Sequence, residues 1–304
     1  MPRPSTHVTC TVVTADGRDL EVLLSGPEDG LPLVHHHGTP QGAVHDPALE
    51  RAASERGLRV VAWSRPGYGG SSPRADALDT ATVADDAADV ATILDHLGVD
   101  RFLTLGWSGG GPRSLACAAM LPERCLGAVC GVGLAPPAEF DGDVRDGMGE
   151  GNVEEYTAAM AGVEPLTEVL ERFSPQVFAA TPHDIADSLG SLIPPVDRAA
   201  LTGELAEVSA AAFRRAGAQG IVGWLHDDLT HIRPWGFSVA DITVPVSVWQ
   251  GTEDKMVPFA HAEWLAAHIP GVRAHLEPGE GHLSLLAQMP RILDDLLELA
   301  GLSR

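Results

Sequence analysis

The segment Gly106-Trp107-Ser108-Gly109-Gly110 holds the residues best suited to covalent chemistry. It lies between a strand-like run, Arg101–Leu105, and a helix-forming stretch, Pro112–Leu121. A serine on a sharp strand-to-helix turn is lifted clear of the sheet, and small neighbours leave room for the strained backbone this requires. Backbone amides at the start of the following helix favour developing negative charge there. A serine hydroxyl is too weak an acid to act alone, so a base must accompany it. Of thirteen histidines, His282 in Glu280-Gly281-His282-Leu283 is the best placed, between the last strand-like run and the closing helix. The imidazole in turn needs an orienting carboxylate. Asp254, in Gly251-Thr252-Glu253-Asp254-Lys255-Met256-Val257-Pro258, follows the preceding strand-like run, with Glu253 as the adjacent rival.

Acyl transfer also needs donors for the oxyanion. His36-His37-Gly38-Thr39-Pro40 follows the run Leu31–His35, and its glycine lets the Thr39 amide turn toward the serine. Together with the amide of Gly109 it would supply two donors. The run His35-His36-His37 does not read as a metal site, because adjacent strand residues point to opposite faces. No cofactor is called for.

These residues need a scaffold that brings strand ends to one edge. Val8–Val13 and Leu20–Leu24 read as an antiparallel pair around Asp16-Gly17. Leu31–His35, Arg59–Trp63, Arg101–Leu105 and Gly127–Val132 read as short strands covered on both faces. They alternate with helical stretches at Val44–Arg56, Thr80–Leu97 and Pro112–Leu121. In the second of these, Val83, Ala87, Val90, Ile93, Leu94 and Leu97 keep helical spacing. Such alternation predicts a doubly wound, mostly parallel sheet, in which the loops after the strands share one edge.

From Pro136 to Gly236 the rhythm changes to helices at Val153–Met160, Leu166–Phe173, Asp184–Leu192 and Asp197–Ala216. It resumes with Val244–Trp249, Phe259–His268, Val272–Leu276 and a closing helix from Leu283 to about Leu299. The expected organisation is an α/β core, residues 1–135 and 237–304, with a helical cap, residues 136–236, inserted after the sixth strand. Trp107, Trp224 and Trp235 are candidate substrate contacts, the alternative being that the helical layer uses its aromatics as its own core.

The chain of 304 residues has a formal net charge of −22, with Lys255 its sole lysine. Without a basic cluster it is unsuited to phosphate backbones or anionic lipid, so neither nucleic acid nor a membrane is an expected partner. The longest apolar run, Leu126–Ala138, is too short and too broken to span a bilayer. No secretory leader is visible in Met1–His7, and Cys10, Cys117, Cys125 and Cys130 have no CxxC spacing. A soluble, cytoplasmic protein with reduced thiols and a small-molecule substrate is expected. Oligomeric state is left open.

The chain resembles the α/β-hydrolase superfamily with a helical cap, over nearly its whole length. The likeness rests on His37-Gly38-Thr39-Pro40, Arg65-Pro66-Gly67-Tyr68-Gly69-Gly70-Ser71, Gly106-Trp107-Ser108-Gly109-Gly110, Gly251-Thr252-Glu253-Asp254 and Gly281-His282. The order Ser108, Asp254, His282 is that of the superfamily. The His37–Pro40 segment is similar to that of proline iminopeptidases and cofactor-free haloperoxidase-type esterases. Gln41 and the Trp107-Ser108-Gly109 order depart from the iminopeptidase pattern. The cap acids Glu154 and Glu155 are placed to hold a substrate ammonium or to serve the first turn of a helix after Asn152, the second being the expectation. The resemblance implies a serine hydrolase of carboxylic esters of small to medium, largely apolar substrates. The alternatives are an iminopeptidase-like amidase and a hydrolase-fold ligand receptor without multiple turnover.

Overall fold

A computed structural model describes residues 7–302. The Met1–Thr6 part of the segment read above for a leader lies outside the described residues. Strands β1 (Val8–Val13), β2 (Asp19–Ser25), β3 (Leu31–His36), β4 (Leu58–Trp63), β5 (Phe102–Trp107) and β6 (Cys125–Gly131) form one sheet with β8 (Val246–Gly251) and β9 (Arg273–Glu277). Its order is β1-β2-β4-β3-β5-β6-β8-β9. β2 runs antiparallel to both of its neighbours, β1 and β4, and all later neighbours run parallel. The carboxyl ends of β3, β4, β5, β8 and β9 therefore open on one edge.

Helices cover both faces, as the continuous apolar strands demand. Helices α1 (Pro47–Glu55) and α11 (Met289–Leu299) bury Leu49, Ala53, Ile292 and Leu296 on one face. Helices α2 (Asp85–His96), α3 (Gly111–Met120) and α10 (Phe259–His268) bury Val90, Ile93, Leu115 and Leu265 on the other. The amphipathic stripe read in Val83–Leu97 is the buried side of α2.

Between β6 and β8 lie α4 (Glu150–Ala161), α5 (Val163–Phe178), α6 (Ile185–Leu189), α7 (Pro195–Ala200), α8 (Gly203–Ala216), the short strand β7 (Ala218–Ile221) and α9 (Val222–Ile232). The single helix expected over 197–216 is two, α7 and α8, divided at Leu201-Thr202 with Gly203 at φ +51°. No helix was expected where α9 lies. Every residue from Gly223 to His231 is buried, polar ones included, so no apolar stripe marks a solvent side. Among the described residues, no helix is long and apolar enough to cross a membrane.

Candidate active site

Ser108 follows β5 directly and sits at φ +56°. The left-handed region costs a non-glycine residue about 1–2 kcal/mol, and the packing around the turn holds it there. A Cβ on Gly106 would overlap the Gly110 carbonyl oxygen, and one on Gly110 would overlap that of His36. Both flanking glycines are thus required by the close approach of turn, strand and helix.

His282 and Asp254 arrive from the loops after β9 and β8. Nδ1 of His282 donates to Oδ2 of Asp254 at 2.8 Å, and both side chains are buried. The carboxylate is fixed by further donors: Gln250 Nε2 at 2.8 Å and the amides of Met256 and Val257 at 2.8 and 2.9 Å. The rival Glu253 is exposed. With Nδ1–H committed to Asp254, Nε2 is the basic nitrogen of the ring. Ser108 and His282 both line a cavity of about 360 Å³ beneath the inserted helices. No hydrogen bond joins them among the described residues; such contacts often tighten only around a substrate.

The loop after β3 reaches the serine from the opposite side. A Cβ on Gly38 would stand 3.4 Å from Cβ of Ser108, and one on Gly109 would collide with Oγ1 of Thr39. Thr39 and Gly109 are therefore neighbours beside Ser108. The adjacent histidines do not converge. His36 Nε2 meets Thr104 Oγ1 at 3.1 Å, while His37 Nδ1 donates to the Gly38 carbonyl at 2.7 Å and its Nε2 accepts the Arg65 amide at 3.2 Å. Burial, reinforced by the Arg65 charge, holds both rings well below the usual imidazole range. Elsewhere, His7, His45 and Glu50 bring ligand atoms within 4.8 Å of one another, away from the cavity lining.

Several site residues carried no readable role in the sequence. Asp197 of α7, fully buried, accepts the amides of His282, Leu283 and Ser284 at 2.9, 2.8 and 2.8 Å. Asp227 of α9 accepts Arg65 Nη2 at 2.6 Å, Arg113 Nη2 at 3.0 Å, Tyr68 Oη at 3.0 Å and Thr39 Oγ1 at 2.5 Å. Burial raises the Asp227 pKa, but the two guanidinium charges overcome it and hold the carboxyl well below the usual carboxylate range. Arginines buried at a strand end and just inside a helix were the available clue, since such charges require partners.

The structure corrects two expectations. Trp235 does not line the cavity; its Nε1 donates to the His231 carbonyl at 3.3 Å and its ring packs 5.8 Å from Phe237 in the core. Glu155, like Glu154, is no first-turn acid, because α4 begins at Glu150. It is buried, accepts Trp224 Nε1 at 2.8 Å and faces the cavity beside Asp228. Burial raises both carboxyls, and Asp228, facing the Glu155 charge, is pushed well above its usual range. Oδ2 of Asp228 has no partner among the described residues. Glu154, by contrast, pairs with Arg172 on the surface at 2.5 Å. Trp107 and Trp224 do line the cavity.

Residues 32–287 match the family described as alpha/beta hydrolase fold. A non-heme chloroperoxidase from Streptomyces lividans is 31% identical over 299 residues, covering 94% of this chain and 98% of that protein. A proline iminopeptidase from Neisseria gonorrhoeae is 37% identical over 116 residues, 38% of this chain and 37% of its own. Among solved structures, an alpha/beta hydrolase fold protein from Nakamurella multipartita aligns with a TM-score of 0.63 at 28% identity, covering 97% of this chain and all (100%) of its own. A sheet order, a left-handed serine after β5 and full-length likeness agree: the chain belongs to the α/β-hydrolase family.

Proposed function

We propose that this hydrolase cleaves a carboxylic ester of a small to medium, largely apolar substrate through an acyl-enzyme. Ser108 attacks the acyl carbon, His282 takes its proton and Asp254 fixes the imidazole tautomer. The amides of Thr39 and Gly109 hold the oxyanion. The alcohol leaves with the proton from His282, and water activated by the same ring releases the acid. Residues 136–236 act as the cap over the acyl pocket, with Trp107 and Trp224 among its walls.

The observation that carries this reading is the pairing of His282 with Asp254 at 2.8 Å in the cavity that also exposes the left-handed Ser108. The test is intact mass and peptide mapping after reaction with a fluorophosphonate probe. One adduct on Ser108, absent in His282→Ala, is expected; an unlabelled wild-type protein overturns the reading.

A second reading, an iminopeptidase-like amidase, is favoured by Glu155 and Asp228. Two buried carboxyls sharing one wall, with Asp228 Oδ2 unpartnered among the described residues, suit a substrate ammonium better than an uncharged acyl group. Turnover of a proline anilide against a p-nitrophenyl ester separates the two. Preference for the anilide, lost in Glu155→Gln, would put the amidase first.

A further inference from the structure

The peptide units that would face the oxyanion are held from behind. Arg65 donates through Nη2 to the Gly38 carbonyl at 3.0 Å and through Nη1 to the His37 carbonyl, and reaches Thr39 Oγ1 at 3.2 Å. His37 Nδ1 donates to the same Gly38 carbonyl at 2.7 Å. That carbonyl shares its peptide plane with the Thr39 amide, and in a trans peptide the C=O and N–H point opposite ways. Turning the carbonyl toward Arg65 turns the Thr39 N–H away from it. A guanidinium on the carbonyl also polarises the unit and makes its N–H a stronger donor.

The second donor is held less directly. Arg113 donates through Nη1 to the Gly109 carbonyl at 2.9 Å, anchoring Gly109 through the peptide unit that follows the one carrying its amide. Its Nη2 reaches Thr230 Oγ1 at 2.7 Å, and its Nε reaches Asp86 Oδ2 at 3.2 Å. Burying either guanidinium without a counter-charge would be costly. What joins them is a single carboxylate, Asp227, with Oδ1 on Arg65 Nε at 3.1 Å and on Arg113 Nη2 at 3.0 Å, and Oδ2 on Arg65 Nη2 at 2.6 Å. Arg65, Arg113 and Asp227 are 0%, 1% and 4% exposed, so water cannot substitute.

We propose that Asp227, acting through Arg65, is the positioning residue for the Thr39 oxyanion donor, with Arg113 anchoring Gly109 beside it, so that α9 is a working part of the acyl-transfer site. This rests on the serine-hydrolase reading above. It differs from a purely structural ion cluster, which would hold the helices down without affecting the transition state more than the bound substrate.

The experiment uses the full chain with p-nitrophenyl butyrate as substrate and phenylboronic acid as the tetrahedral mimic, in Arg65→Lys, Asp227→Asn and Asp227→Glu. Arg65→Lys keeps the charge and removes the fork on the two carbonyls. It should lower kcat about 100-fold, as loss of one oxyanion donor does, with KM within about threefold. The inhibition constant of phenylboronic acid should rise in step with the fall in kcat/KM. Asp227→Asn should behave alike and Asp227→Glu should recover part of the loss. If Asp227→Asn does not fold, Arg65→Lys decides. A folded Arg65→Lys with unchanged kcat and boronic acid affinity, or one that loses only KM, overturns the inference while Ser108 labelling still stands. Absence of fluorophosphonate labelling in the wild type overturns the underlying reading and, with it, this one.

Discussion

Asp227 and Asp228 are chain neighbours on α9, yet their carboxyls are driven in opposite directions. Successive helix positions point about 100° apart, so the two face different regions. On the Asp227 side lie Arg65, just after β4, and Arg113, from α3. On the Asp228 side lies the cavity, with Glu155 as its neighbour. Depth is similar on both sides; partners differ. An acid between two guanidiniums is held charged and fixed, whereas burial beside another acid pushes the carboxyl pKa up. One helix thus serves as brace on one side and as wall on the other.

The largest effect that would test this division is at the proposed nucleophile. Ser108→Ala and His282→Ala should each lower kcat on p-nitrophenyl butyrate by roughly 10⁴-fold or more, and the double variant should be little worse, because such residues act as a unit. Additive losses would contradict the pairing. On the bracing side, Asp197→Ala removes the acceptor for three amides of the His282 loop. It should destabilise the fold by about 3 kcal/mol, given about 1.5–3 kcal/mol for a hydrogen bond to a charged group, readable in urea unfolding. An unchanged midpoint would show the loop is held elsewhere.

The wall side should respond with the opposite sign. A buried acid with a raised folded pKa destabilises the fold above its unfolded pKa of about 3.9, and that penalty grows with pH until the folded value is passed. Asp228→Asn should therefore raise Tm at pH 8 by a few degrees, with the gain shrinking toward pH 4. The bracing Asp227 has its pKa lowered, so its stabilisation is present above about 3.9 and is lost only in stronger acid as pH falls through the folded value. Asp227→Asn should lower Tm at pH 8, and this loss should shrink below about pH 3.9. Equal signs for the two variants would erase the comparison. The smallest effect belongs to Glu154→Ala. Its pair with Arg172 is solvent-exposed, and such pairs are worth about 0–1 kcal/mol, so stability and turnover should both stay near wild type.

Much of the core was legible because short-range chemistry dictates it. Apolar strand runs alternating with helical stripes specify a covered parallel sheet, and the observed strands lie within two residues of the expected ends at most positions. Gly106, Ser108 and Gly110 announce a tight turn through residue size alone. The order of Ser108, Asp254 and His282 follows from three loops leaving one sheet edge, and that edge follows from the parallel register.

The inserted helices were less legible for an equally physical reason. Periodicity reports which side of a helix meets water, and α9 has no such side. Trp235 and Trp224 look alike in the sequence, yet one packs in the core and the other lines the cavity. Aspartate types alone could not say that Asp197 holds the His282 loop, that Asp227 joins two arginines or that Asp228 faces Glu155. The sequence by itself determined the sheet, the turn and the candidates proposed to react, since local sterics and burial patterns set these. Only the tertiary structure decided which buried charges meet, because a carboxylate's ionisation and role depend on neighbours brought from as far as 188 positions away along the chain.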